Sequence, residues 1–204
     1  MKDFGFIHEF IAGATSQTLL LLHGTGANEQ SLLPLGRVLD PSANLLSPRG
    51  KVLEEGRVRF FRRFAEGVFD LKDLEFRTNE LNDFVAAAAE HYDLAVEEMI
   101  LVGYSNGATI ASSLLLCFPG RFRRAILFRA MAPFLPESSP DLSATSVAIS
   151  AGRNDRIIPF VETEWLADLL RNGGAEVALE IVESDHGLTK DDLRIAQDWL
   201  ARQA

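Results

Sequence analysis

The pentapeptide Gly103-Tyr104-Ser105-Asn106-Gly107 follows the apolar run Met99-Ile100-Leu101-Val102 and precedes a helical pattern. A serine at such a junction sits on a sharp strand-to-helix turn, whose strained backbone leaves no room for Cβ atoms two residues to either side. Glycine fills both places. The chain must therefore run a buried strand directly into a helix, with the serine hydroxyl at the strand's carboxyl end. The motif alone is only moderately specific: with Gly near 7% of residues, chance supplies a G-x-S-x-G in roughly one chain in twenty of this length. Its company decides.

Nucleophilic acyl transfer needs a base for the serine proton, a carboxylate to hold that base, and donors for the developing oxyanion. In the fold that uses this elbow the chain order is Ser, then Asp or Glu, then His, with acid and base each on a loop after a strand. Ser146 to Ala151 reads as a buried strand, and Gly152-Arg153-Asn154-Asp155 follows it as a polar loop. Asp155 is the expected acid, although its place just ahead of a helix would also suit a cap. Val177 to Val182 reads as the last strand, with Glu183-Ser184-Asp185-His186-Gly187 beyond it. His186 is the expected base. Asp185 is the rival acid, but adjacent side chains on a loop rarely converge. His8 and His91 have surface roles as their default. His23-Gly24-Thr25-Gly26 follows the strand Leu19 to Leu22, where the loop giving half of an oxyanion hole belongs. The backbone N–H groups of Thr25 and Asn106 are the expected donors. A dinucleotide-binding turn is the competing reading of Gly24-x-Gly26, and it fails because Glu29 stands where the third glycine belongs.

Taken together, His23-Gly24-Thr25-Gly26, the elbow extended to Ala108, Gly152-x-x-Asp155 and Asp185-His186-Gly187 resemble the phospholipase/carboxylesterase family of α/β-hydrolases. The resemblance runs from the first strand to the last helix. It implies a serine esterase that needs no cofactor and allows a homodimer. Asn106 and Ala108 replace the Gln and Gly usual in the family's thioesterases and look closer to a bacterial carboxylesterase-like branch.

At 204 residues and 47% hydrophobic content the chain is expected to form one α/β domain over residues 1–204. Strands read at Thr18 to His23, Ala43 to Ser47, Met99 to Tyr104, Arg124 to Phe128, Ser146 to Ala151 and Glu176 to Val182, with another possible near Phe6 to Ala12. Helical patterns alternate with them, which implies a mostly parallel sheet covered on both faces. No apolar run approaches the roughly 18 residues of a membrane span. Asp3 and Glu9 interrupt the N-terminal apolar residues, so no export signal is read. One cysteine, Cys117, is expected to be a small buried hydrophobe, and it fits a reducing, cytoplasmic compartment. Four scattered histidines and that cysteine give no metal-ligand spacing. A net charge of -9 argues against nucleic acid or an anionic membrane surface as partners.

Between Ser47 and a helix expected to begin near Asp73 lies a long stretch, Pro48 to Lys72, in which phenylalanines interleave with arginines. Long loops in compact domains tend to be functional. This one is expected to cover the serine and line an acyl or aromatic pocket with Phe60, Phe61, Arg62 and Phe64, an arginine meeting a substrate carboxylate. Met131, after another strand, is expected to complete it. The other possibility is that the phenylalanines only anchor the loop. The expected function is cleavage of small acyl or aryl esters. The alternatives are a thioesterase, lysophospholipase or lactone hydrolase on the same fold, and a non-catalytic binding protein.

Overall fold

The computed structural model describes residues 4–203; the ends of the expected 1–204 domain, residues 1–3 and 204, lie outside the described residues. Seven strands form the central sheet: β1 (His8–Ile11), β2 (Thr18–Leu22), β3 (Asn44–Pro48), β8 (Ile100–Tyr104), β9 (Arg124–Phe128), β10 (Ser146–Gly152) and β11 (Glu176–Val182). Between β3 and β8 the chain makes four short strands, β4 (Val52–Glu54), β5 (Arg57–Arg59), β6 (Arg63–Ala65) and β7 (Val68–Phe69). The helices are α1 (Leu33–Leu39), α2 (Leu71–Tyr92), α3 (Asn106–Cys117), α4 (Phe160–Asn172) and α5 (Lys190–Ala201).

The sheet order is β1-β3-β2-β8-β9-β10-β11, parallel except for β1. Alternation along each strand divides the core in two. Leu20 and Leu22 face the side covered by α2, α3 and α4, while Leu19 and Leu21 face α1 and α5. Each buried leucine contributes roughly 1.5–3 kcal/mol through its lost contact with water. No described helix is long and apolar enough to cross a membrane. From β2 the chain first adds β3 on one side and later β8 on the other, so strand order reverses between β2 and β8. Crevices open at the carboxyl ends of such a pair.

The stretch from 48 to 72 is not an irregular loop but two hairpins, β4–β5 and β6–β7. Glu55-Gly56 turns the first with both residues at positive φ, and Gly67 (φ 73°) turns the second. Helix α2 starts at Leu71 rather than near Asp73, capped by Asp70, which accepts the Asp73 N–H. Two further expectations are corrected. His8 is buried, its ring bonded to the Phe6 carbonyl and the Tyr92 hydroxyl, because Phe4, Phe84 and Tyr92 pack around it. Cys117 is exposed, because it is the last residue of α3, where the helix leaves the core.

Candidate active site

Ser105 lies between β8 and α3 at φ 53° and ψ -117°, a conformation that costs on the order of 1–3 kcal/mol. The two flanking glycines make it possible. A Cβ at Gly107 would lie 1.9 Å from the Leu22 carbonyl oxygen, and one at Gly103 would lie 2.5 Å from Ala108 Cα. The Ser105 N–H is tied to the Phe128 carbonyl at 2.9 Å, so β9 fixes the turn from the other side.

His186 reaches the serine from the loop after β11. Its Nε2 lies 3.0 Å from Ser105 Oγ and its Nδ1 lies 2.7 Å from Asp155 Oδ2. With an acceptor at Nδ1, the neutral ring carries its proton there and Nε2 is free to accept from the hydroxyl. The other oxygen of Asp155, Oδ1, accepts the Ile157 and Ile158 N–H groups at 2.8 and 3.0 Å. Asp155 does not cap α4, whose N-cap is Pro159 with no side-chain bond. The rival, Asp185, is exposed and bonds instead to the Gly187 N–H. The Tyr104 ring lies beside the His186 ring, and its hydroxyl donates to the His186 carbonyl at 3.0 Å.

Thr25 and Asn106 line the cleft that Ser105 opens into. Among the described residues neither backbone N–H donates to a protein acceptor. The Thr25 loop is held from both ends. Gly26 N–H donates to the Val58 carbonyl at 2.8 Å, and the buried His23 ring bonds the Gly24 carbonyl through Nδ1 and the Gly50 N–H through Nε2. Burial lowers the His23 pKa, and accepting from Gly50 requires the neutral ring. The Asn106 side chain, for which no role was expected, accepts the Phe60 N–H at 2.8 Å and so pins the first hairpin to α3. Its Nδ2 is buried without a partner among the described residues.

The cleft encloses about 220 Å³. Of the five pocket residues expected from the sequence, Phe61 and Met131 line it, and Phe60, Arg62 and Phe64 do not. Phe60 points away and packs against His23, with ring centroids 4.7 Å apart. Arg62 turns to Asp70 and Asp73, and Phe64 is 76% exposed to solvent. Arg57, Arg59, Arg63 and Phe69 take their places, and Ile157 and Ile158 line it as well.

Sequence reasoning missed Arg129. It follows β9 at φ 53°, is 1% exposed, and spends its donors on the loop that carries His186. Nε donates to the Asp185 carbonyl at 3.2 Å, and Nη2 donates to the Gly187 carbonyl and Ser184 Oγ, both at 2.8 Å. Nη1 reaches the Ser150 carbonyl and, with Nη2, the buried Asp192 carboxylate at 2.7 and 3.0 Å. Asp192 also closes the capping box of α5 with Thr189. A lone arginine after a strand carries no signal of this, because its partners lie far along the chain.

The model of the phospholipase/carboxylesterase family matches residues 9–203. The chain is 45% identical to MhqD of Bacillus subtilis, a protein named as a hydrolase, over 94% of this chain and 96% of that one. A crystal structure of a Bacillus cereus carboxylesterase superposes with a TM-score of 0.95 at 43% identity, covering 98% of this chain and 95% of that one. A carboxylesterase from Mesorhizobium loti gives 0.94 at 33% identity, with 98% and 97% covered. The chain has the α/β-hydrolase fold, is a carboxylic ester hydrolase, and belongs to the phospholipase/carboxylesterase family.

Proposed function

We propose that this enzyme cleaves small acyl or aryl esters through an acyl-enzyme on Ser105, with His186 as general base and Asp155 orienting the imidazole. The observation that carries this reading is the unbroken contact chain from Ser105 Oγ to His186 Nε2 (3.0 Å) and from His186 Nδ1 to Asp155 Oδ2 (2.7 Å). Ser105 Oγ attacks the ester carbonyl as its proton passes to Nε2. Asp155 stabilises the imidazolium, and the free Thr25 and Asn106 amides receive the oxyanion. The tetrahedral adduct collapses, the alcohol leaves with the proton from His186, and water then repeats the sequence on the acyl-enzyme. Those residues and water handle every proton and electron pair, so the reading includes no cofactor.

A cleft of about 220 Å³ favours short acyl or single-ring substrates over long lipid chains. The proposal places the enzyme in the cytoplasm, in keeping with a single cysteine, and includes neither nucleic acid nor membrane as partner; it is compatible with a homodimer. Hydrolysis of p-nitrophenyl acetate, butyrate and octanoate tests it, with a fluorophosphonate label reporting on the nucleophile. Ser105→Ala is expected to lower kcat by about 10⁵–10⁶ and to abolish labelling, with the acetate and butyrate preferred by the wild type. A wild type that neither labels nor turns over any ester overturns the reading in favour of a binding protein.

A further inference from the structure

Three arginines, Arg57, Arg59 and Arg63, line the cleft of Ser105, against one acidic lining residue, Glu66. This positive charge stands in a chain whose net charge is -9. Its compensation within the protein is thin. Arg59, only 3% exposed, and Arg63 share Glu54 at 3.4 and 3.0 Å, and Glu66 approaches Arg63 only to 3.9 Å. Arg57 forms no ion pair among the described residues; a Cβ at Gly26, beside Thr25, would lie 3.7 Å from its Cδ. Burial, and then repulsion from Arg63, hold the Arg59 pKa below its ordinary value, as befits a cation with too little negative charge around it. The neighbouring Arg62 is unlike these, since it is turned toward Asp70 and Asp73 and does not line the cleft.

We infer that the cleft selects esters that carry a carboxylate of their own, held by Arg57, Arg59 and Arg63 while Ser105 meets the ester carbonyl. The inference rests on the reading of Ser105 given above. A guanidinium fork matches a carboxylate edge, and an anion between Arg59 and Arg63 relieves their repulsion, which a neutral ester leaves in place. Hydrolysis of such an ester consumes one water and releases one proton, giving succinate and ethanol where the carboxylate is on the acyl side, or acetate and a hydroxybenzoate where it is on the alcohol side, so a pH-stat follows it directly.

Two substrate pairs differ only in the charge. Monoethyl succinate against ethyl succinamate puts it on the acyl side, and para-acetoxybenzoate against para-acetoxybenzamide puts it on the alcohol side. With each rate corrected for reaction with hydroxide, kcat/KM for at least one anionic ester is expected to exceed that of its neutral twin by about tenfold or more, and to fall with added salt. Arg57→Gln and Arg63→Gln are expected to bring that ratio toward one, while Arg62→Gln keeps it. Neutral twins hydrolysed as well as the anionic esters in both pairs, or a ratio that ignores Arg57 and Arg63, overturns the inference. Calorimetry on Ser105→Ala separates this from the catalytic reading. If the wild type turns over none of these esters, nor any p-nitrophenyl ester, and takes no fluorophosphonate label, the reading of Ser105 is at fault. Tighter binding of monoethyl succinate than of ethyl succinamate then still upholds the anion site, and equal binding overturns it.

Discussion

The arginine behind the site and the arginines in front of it are in opposite states. Arg129 is sealed in the interior, and acceptors of the Ser184–Gly187 segment, Ser150 and Asp192 meet its Nε, Nη1 and Nη2. Arg57, Arg59 and Arg63, on the hairpins, divide two glutamates among three cations, one of those glutamates at 3.9 Å. The same side chain therefore serves as framework where acceptors are in excess and is left open to a ligand where they are scarce. Acceptor count, more than burial, separates the two, since both Arg129 and Arg59 are buried.

Arg129→Met should show the largest effect. It strands the buried Asp192 carboxylate without its cation, at a cost of about 3–5 kcal/mol in urea unfolding. A second change, Asp192→Leu, should recover much of that stability, because an ion pair replaced by packed apolar groups is often nearly neutral. It should not recover kcat, because the carbonyls of Asp185 and Gly187 still lack the donor that holds the His186 loop. Activity restored along with stability would reduce Arg129 to a packing residue.

Asp192→Asn sharpens the same side at smaller magnitude. Burial alone would raise the Asp192 pKa, but bonds from Arg129, Ser150 and Thr189 outweigh it and hold the carboxyl below its usual range. A depressed folded pKa contributes stability that is complete above the unfolded value of about 3.9 and is lost as pH falls through the folded one. The wild type should therefore exceed Asp192→Asn by about 1.5–3 kcal/mol at neutral pH, and that margin should shrink as the pH drops below about 4. A margin independent of pH would place the Asp192 contribution in shape rather than charge.

In front of the site, Arg59→Met should change stability by only about 1 kcal/mol in either direction, because the burial of Arg59 is poorly compensated as it stands. A loss as large as that of Arg129→Met, measured in the same urea series, would break the contrast between the two sides.

The framework side was legible where it depends on local pattern. The apolar runs before Ser105, Asp155 and His186 mark parallel strands, and the polar loops after them mark the crevice. Gly103 and Gly107 reveal the elbow because backbone atoms of Ala108 and Leu22 occupy the space their side chains would take. Arg129 was illegible because what it does is set by Asp192, 63 positions later. The front side was half legible. Its aromatic and basic character shows in the sequence, but strands of two or three residues are too short for a period to emerge. Glu55-Gly56 was the signal that could have marked the first hairpin. Phe60 and Phe61 lie on the bend between β5 and β6, outside any strand, so no period in the sequence tells that Phe61 lines the cleft while Phe60 packs on His23. His8 was misjudged because its partners, Phe84 and Tyr92, come from a distant helix.

The smallest expected effect on stability is that of Arg57→Gln. Arg57 is exposed, has no ion pair among the described residues, and contributes to β5 mainly through its backbone pairing with Glu54. Surface changes of this kind stay within about 0.5 kcal/mol. It nonetheless lines a small cleft whose other two arginines share Glu54, so the salt dependence of kcat/KM for an anionic ester should flatten in the variant while the unfolding midpoint stays put. An unchanged salt slope would assign the selectivity to Arg59 and Arg63 alone. A falling midpoint would mean that Arg57 belongs with Arg129, as a group the fold requires.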